Sequence, residues 1–198
     1  MNDIKRLRDF VFEMTKLVER KPEEPVIIET GRELLSDLIG NDDWLPDAFA
    51  EPAPDRYRQY LLHCDPLERF SVVSFVWGPG QRTPVHDHTV WGLVGVMRGA
   101  ELCQEYARHG AGQAMRKTGE HLVEPGGIDA VSPTLGDIHV VSNARADEVA
   151  VSIHVYGANI GAVSRHTFAP DSGEPTRFVS GYSNTVTPNL WDRSGDSG

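Results

Sequence analysis

An all-β barrel or sandwich behind two N-terminal helices is the fold class predicted for this chain of 198 residues. Three observations predict it. From Phe70 onward the sequence breaks into short β-rich runs separated by Gly, Pro, Asn and Asp, the texture of strands joined by tight turns. Before that point, apolar residues recur at helical spacing. The length accommodates one domain with a substantial core.

Taken in order, Ile4, Leu7, Val11, Met14 and Val18 form one apolar stripe, which predicts a helix from about Asp3 to Arg20. Pro22 and Pro25 are expected to break it. A second helix is expected from about Val26 to Ile39, with Leu34, Leu35, Leu38 and Ile39 apolar and Gly40 closing its C-terminus. The stretch "NDDWLPDAFAEPAPDRYRQYLL" reads as a loop followed by a short helix or the first strand. The strands that follow are expected in "FSVVSFVWG", "WGLVGVMRGAELCQEYA", "GEHLVEPGG", "IHVVSN" and "AVSIHVYG". Residues 1–65 are thus a helical segment packed on the barrel and 66–198 the barrel itself, within one structural domain. The closing stretch from Ala169 is rich in Pro, Gly, Ser and Asp, and its final residues are expected to fray.

A net charge of −10 and the absence of basic clusters make nucleic acid and anionic membranes poor partners. No apolar run approaches the ~20 residues of a membrane span, and charges interrupt the N-terminal "MNDIKRLRDFVFEM". A cytoplasmic location is expected, and the two cysteines, Cys64 and Cys103, fit a reducing compartment. A small-molecule ligand is the expected partner, with homo-oligomerisation left open.

The stretch "TPVHDHTVWGLVGVMRG" places His86 and His88 one residue apart. On an extended chain both side chains project to the same side, so two imidazoles reach one point, while Asp87 faces the other way, toward outer contacts or solvent. A third imidazole is available at His139 in "PTLGDIHVVSN". Gly80, His86, His88, Gly92 and Gly99 form one glycine-bracketed motif, and Gly127, Pro133, Gly136, His139 and Asn143 a second. His63, His109, His121 and His166 lack such a setting and are expected at the surface or in packing. Three neutral imidazoles suit zinc, copper, nickel or iron alike. Zinc would imply hydrolysis by bound hydroxide, or an isomerase, and iron(II) an anionic substrate with dioxygen. A metal-dependent binding protein without turnover stands as the non-enzyme alternative.

A second cluster lies in "AVSIHVYG", where Ser152, His154 and Tyr156 alternate with Val151, Ile153 and Val155. Either this is a half-exposed edge strand, or hydroxyl, imidazole and phenol form a hydrogen-bonded chain on one face.

The paired motifs resemble those of the cupin superfamily, a jelly-roll barrel, also called a double-stranded β-helix, with its metal inside. One extra residue separates Pro133 from Gly136, and the glutamate most cupins carry in the first motif is replaced at Gly92 and Leu93. Together with the downstream Ser-x-His-x-Tyr, a three-histidine cupin is similar to the cysteine dioxygenase family of thiol dioxygenases, from about Tyr57 to Arg165. The resemblance implies Fe(II) held by His86, His88 and His139, and an outer relay of Ser152, His154 and Tyr156 with the phenol near the reacting atoms. It implies a thiol and dioxygen as substrates, both oxygen atoms going to sulfur to give a sulfinate. Mammalian-type members carry a cysteine cross-linked to the relay tyrosine where this chain has Gly92, and a carboxylate-gripping arginine where "RYRQYLL" aligns Gln59, with Arg58 adjacent. The glutamine resembles the bacterial 3-mercaptopropionate dioxygenases, in which an arginine after the relay strand takes the carboxylate. Arg165 stands at the matching distance, so 3-mercaptopropionate is the expected substrate, with Arg165 and Gln59 binding it and cysteine as the alternative.

Overall fold

The computed structural model describes residues 4–110 and 112–191. Helix α1, Lys5–Glu19, buries the predicted stripe of Leu7, Val11, Met14 and Val18 and adds Phe10 and Leu17. The expected start at Asp3 lies outside the described residues. Helix α2, Glu24–Ile39, begins earlier than Val26. Pro25 starts this helix instead of breaking the chain, because the first turn needs no N–H from it and tolerates its fixed φ. Gly40 is the C-terminal residue as expected, but its φ of −64° is right-handed. A short 3-10 turn, Asp47–Phe49, leads into the sheets.

Ten strands follow: β1 Arg58–Cys64, β2 Ser71–Trp77, β3 Gly92–Arg98, β4 Glu101–Ala107, β5 Arg116–Val123, β6 Ile128–Val131, β7 His139–Asn143, β8 Ala150–Tyr156, β9 Arg165–Phe168 and β10 Pro175–Phe178. The sheet therefore begins at Arg58, ahead of the division expected at 65/66, since "RQYLLHC" pairs with β2 along its length. One antiparallel sheet has the order β1-β2-β8-β3-β6, a second β5-β4-β7, and β9 and β10 form a hairpin. The two sheets make the jelly-roll barrel expected of a cupin.

Alternation divides the core. Val151, Ile153 and Val155 of β8 join Val72, Val76, Leu93 and the residues of α1 and α2 in one cluster outside the five-stranded sheet. Tyr156, Val73, Phe75, Trp77 and Val141 form another inside the barrel. At ~25 cal/mol per Å² of apolar surface removed from water, these two layers supply the main driving force. Helix α2 lies so close to β3 that a Cβ at Gly95 would stand 2.9 Å from Ile39 Cδ1 and 3.1 Å from Leu35 Cγ. β8 runs between β2 and β3 with every residue buried, which overturns the half-exposed edge-strand alternative.

Candidate metal centre

His86 and His88 do not stand on a regular strand. They lie in an extended segment that bridges β7 and β9 through His86↔His139 and His86↔Thr167. The outcome predicted from alternation holds because the backbone is extended there. His86 N–H donates to His139 O and His139 N–H to His86 O, each at 3.1 Å, so this pair sets two rings side by side. Ring centroids of His86, His88 and His139 stand 4.8 to 4.9 Å apart, with the exposure of each below a tenth.

Each of the three rings is held by its Nδ1, which would leave Nε2 for a metal. His86 Nδ1 lies 3.1 Å from Pro84 O, His88 Nδ1 3.0 Å from Asp137 Oδ1, and His139 Nδ1 3.6 Å from Cys103 Sγ. Asp137 also accepts the backbone N–H groups of His88 and Thr89, both at 2.9 Å. Burial pushes its carboxyl up, but the hydrogen bonds from His88 and Thr89 outweigh this and leave it below its ordinary value. Burial, reinforced by the neighbouring imidazoles, brings His86 down to about 3 and His139 well below the usual histidine range. These two rings are neutral at physiological pH, so metal binding need not displace protons from them. One donor atom from each of the three histidines lies within 4.8 Å of the others. Three converging imidazoles with oriented outer nitrogens would fit a transition-metal ion better than a hard, oxygen-seeking one.

Asp87 faces away from the ligands as expected, though not to solvent. It accepts His166 N–H at 2.7 Å and lies 3.0 Å from His166 Nδ1, pinning the ligand segment to β9. His166, expected at the surface or in packing, therefore serves as a tether. His63 packs against Phe70, and His121 contacts Asp129.

Ser152, His154 and Tyr156 form a continuous hydrogen-bonded chain. Ser152 Oγ lies 2.8 Å from His154 Nε2, and His154 Nδ1 lies 2.8 Å from Tyr156 Oη. Phe75 stacks on His154 at 4.0 Å, and His88 on Tyr156 at 5.4 Å. Burial raises the Tyr156 phenol above its usual value, keeping it a hydrogen donor. A Cβ at Gly92 would stand 2.8 Å from Tyr156 Cδ1, so the glycine leaves the phenol ring its place.

The same cavity, of about 240 Å³, is lined by all three histidines, His154, Tyr156, Gln59 and Arg165. Arg58, alternating with Gln59 along β1, turns out to Asp55 at 3.3 Å. Gln59 Nε2 donates to Ser180 O at 3.3 Å and Gly181 O at 3.0 Å, so its donor is engaged with the wall. Arg165 is 5% exposed and sits over the Phe178 ring at 4.7 Å, its Nη2 donating to Ser180 Oγ at 2.8 Å. Its Nε is buried without a hydrogen-bond partner, and burial lowers its pKa.

The sequence profile of cysteine dioxygenase type I matches residues 39–171, a stretch holding the three histidines and Ser152, His154 and Tyr156. The chain belongs to the cysteine dioxygenase family. It is 24% identical over 179 residues to cysteine dioxygenase type 1 of Danio rerio, covering 87% of this chain and 81% of that protein. Among solved structures, the TT1209 protein of Thermus thermophilus is similar at 19% identity over 57% of this chain and 92% of that one, with a TM-score of 0.44. A cupin-like protein of Thermotoga maritima is similar at 22% identity over 54% and 75%, with a TM-score of 0.41. Membership in the cysteine dioxygenase family makes the protein a metal-dependent thiol dioxygenase. Among the described residues, no helix is long and apolar enough to cross a membrane.

Sequence reasoning does not single out Asp137 or Cys103. Asp137 stands two residues before His139, a spacing that carries no signal, because its partner His88 is brought to it only by the fold.

Proposed function

We propose that the protein is an Fe(II)-dependent dioxygenase of a small thiol carboxylate, with 3-mercaptopropionate preferred and its sulfinate as product. The observation that carries this reading is the buried Arg165 side chain, which lines the metal-side cavity and which no carboxylate pairs with among the described residues. A charge so placed favours an anionic ligand.

His86, His88 and His139 would hold Fe(II), which when bound would supply the redox chemistry that joins a thiol to dioxygen. Arg165 binds the carboxylate and so fixes the span between that group and sulfur. Gln59 holds the segment bearing Ser180, which in turn positions Arg165. Tyr156 presents its hydroxyl to the reacting atoms, with His154 and Ser152 orienting it. Phe75 and Trp77 form an apolar wall that excludes water. The described lining contains no aspartate or glutamate, so nothing there pairs with the α-ammonium of cysteine. This favours a substrate with a carboxylate and no amine.

The second reading is L-cysteine as substrate, favoured by the similarity to the zebrafish enzyme. An oxygen-electrode assay of the Fe(II)-loaded protein with 3-mercaptopropionate, cysteine and cysteamine tests both. The expected result is the highest kcat/KM for 3-mercaptopropionate and the lowest for cysteamine, which lacks a carboxylate. A higher value for cysteine would replace the first reading with the second, and no oxygen uptake with any thiol would sink both.

A further inference from the structure

Beneath the relay lies a carboxyl group that the chemistry above does not use. Glu101, on β4, is 1% exposed, and its Oε1 is buried with no hydrogen-bond partner. Its side chain points from the three-stranded sheet into the barrel, toward β2 and β8. The Ser152 hydroxyl and the Trp77 indole lie close enough to pull its carboxyl pKa down against burial, and Trp77 Nε1 donates to Ser152 Oγ at 3.3 Å. Glu101, Ser152, His154 and Tyr156 are thus four polar groups in sequence, running from the barrel interior to the metal-side cavity.

We propose that Glu101 is a positioning residue whose protonation state reverses the direction of hydrogen donation along this chain, and with it the hydrogen available at Tyr156. The proposal rests on the reading of Ser152, His154 and Tyr156 as the relay of a thiol dioxygenase.

With Glu101 protonated, the carboxyl donates to Ser152 Oγ, and the Ser152 hydroxyl donates to His154 Nε2. The hydrogen of the neutral imidazole then sits on Nδ1 and is donated to Tyr156 Oη, leaving the phenol hydrogen free for the cavity. With Glu101 ionised, Ser152 donates to the carboxylate and accepts from His154 Nε2–H. Nδ1 is then bare and takes the phenol hydrogen for itself. Each hydroxyl has one hydrogen to give, so the end of the chain fixes every member.

The surroundings place this switch in the physiological range. Burial raises the Glu101 carboxyl to about 7 against the opposing pull of Ser152 and Trp77, with a further upward push from Asp129 on β6. Cys103 on the same strand and Tyr156 across the barrel also act on it, and no lysine or arginine appears among the groups that do. His154 itself stays neutral, held far below the usual histidine range by burial and the neighbouring imidazoles. It changes tautomer without changing charge.

The test reads the tautomer directly. Full-length protein labelled with ¹⁵N-histidine and loaded with diamagnetic Zn(II) gives ring-nitrogen shifts for His154, assigned by comparison with His154→Gln. Hydrogen is expected on Nδ1 at low pH and on Nε2 at high pH, with a midpoint near 7. Glu101→Gln, which cannot ionise, and Ser152→Ala, which interrupts the chain, are each expected to abolish the change. In the Fe(II)-loaded enzyme, kcat is expected to fall about tenfold between pH 6 and pH 8 as a single ionisation near 7 requires, and to lose this fall in Glu101→Gln. A wild-type tautomer that stays constant across this range, or a switch that survives Glu101→Gln, would overturn the proposal. A normal tautomer switch in a protein that consumes no oxygen would overturn the proposed function and leave the proton chain standing.

Discussion

Gly92 determines where the Tyr156 phenol stands. A methyl group there would meet Tyr156 Cδ1 at 2.8 Å and Val131 Cγ2 at 3.0 Å, both inside contact distance. Gly92→Ala is expected to cost about 1 to 3 kcal/mol of stability, as overpacking in a filled core does, and to lower kcat while iron content stays near one per chain. Denaturant titration beside metal analysis checks this. Removing the hydroxyl alone separates position from chemistry: Tyr156→Phe is expected to keep metal and fold but to slow turnover ~10 to 100-fold, the usual weight of an outer-sphere partner. An unchanged rate at saturating thiol and oxygen would remove the phenol from the reaction. For Arg165, replacement by alanine is expected to reduce kcat/KM for 3-mercaptopropionate by about a hundredfold or more, on the order of the loss when one partner of a buried ion pair is deleted, while leaving cysteamine turnover nearly unchanged.

Single strands and segments carry whole functions in this fold, and their legibility in the sequence depends on how local the signal is. The strand β8 is readable because three polar and three apolar residues alternate within it, and the structure sends Ser152, His154 and Tyr156 into the barrel and Val151, Ile153 and Val155 under the helices. The convergence of His86, His88 and His139 is readable from spacing, even though the first two lie in an extended bridge instead of a strand. β4 shows the opposite case. Glu101 and Cys103 point inward while Leu102 is on the outer face, so hydrophobicity alone would orient the strand backwards. Neither Asp137 nor Glu101 is visible before strands distant in sequence are paired. β6 and the hairpin of β9 and β10 escape sequence reasoning because they are four-residue strands in stretches rich in turn residues. Asp137 yields a prediction at this scale: Asp137→Ala frees the His88 ring and is expected to weaken metal affinity ~10 to 100-fold, read by competition with a chelator. Glu101 yields another. Its folded pKa, raised from 4.5 to about 7, means that the folded protein keeps a proton the unfolded chain releases. This contribution is complete below about pH 4.5 and is lost as pH rises through 7, a loss of about 3 kcal/mol at most at ~1.4 kcal/mol per pH unit. The Tm of Glu101→Gln relative to wild type is therefore expected to rise between pH 5 and pH 8.

Across the whole molecule, structural stability and chemistry occupy opposite faces of one sheet. Leu35 is fully buried between α2 and β3, on the side away from the cavity. Leu35→Ala is expected to cost about 2 to 5 kcal/mol, the range for emptying a packed site, with kcat within about twofold of wild type at 25 °C. Paired denaturation and rate measurements check that separation. The general layout, helices first and an antiparallel barrel behind them, follows from periodicity in "KRLRDFVFEMTKLVE" and from the turn-separated strands after Phe70. The final residues expected to fray, 192–198, lie outside the described region.

The central place of β8 also has a consequence in time. Its amides are bonded on both sides, to β2 and β3, beneath a layer of helices, so they open to solvent only when the domain unfolds as a whole. The relay spacing then persists as long as the fold itself. Gln59 lies on β1, whose outer side is bonded only to the short segment at Ser183 and Asn184, and Arg165 on a hairpin bonded on its other side only to the extended stretch at 85–87. Each is thus held by short, irregular pairings where β8 has a full strand on both sides. Under the proposed function, reactive geometry would be stored in the slowest-exchanging part of the protein and substrate choice in a faster one. A lineage can therefore drift from one thiol to another through its edges while the atoms that carry the reaction keep their distances.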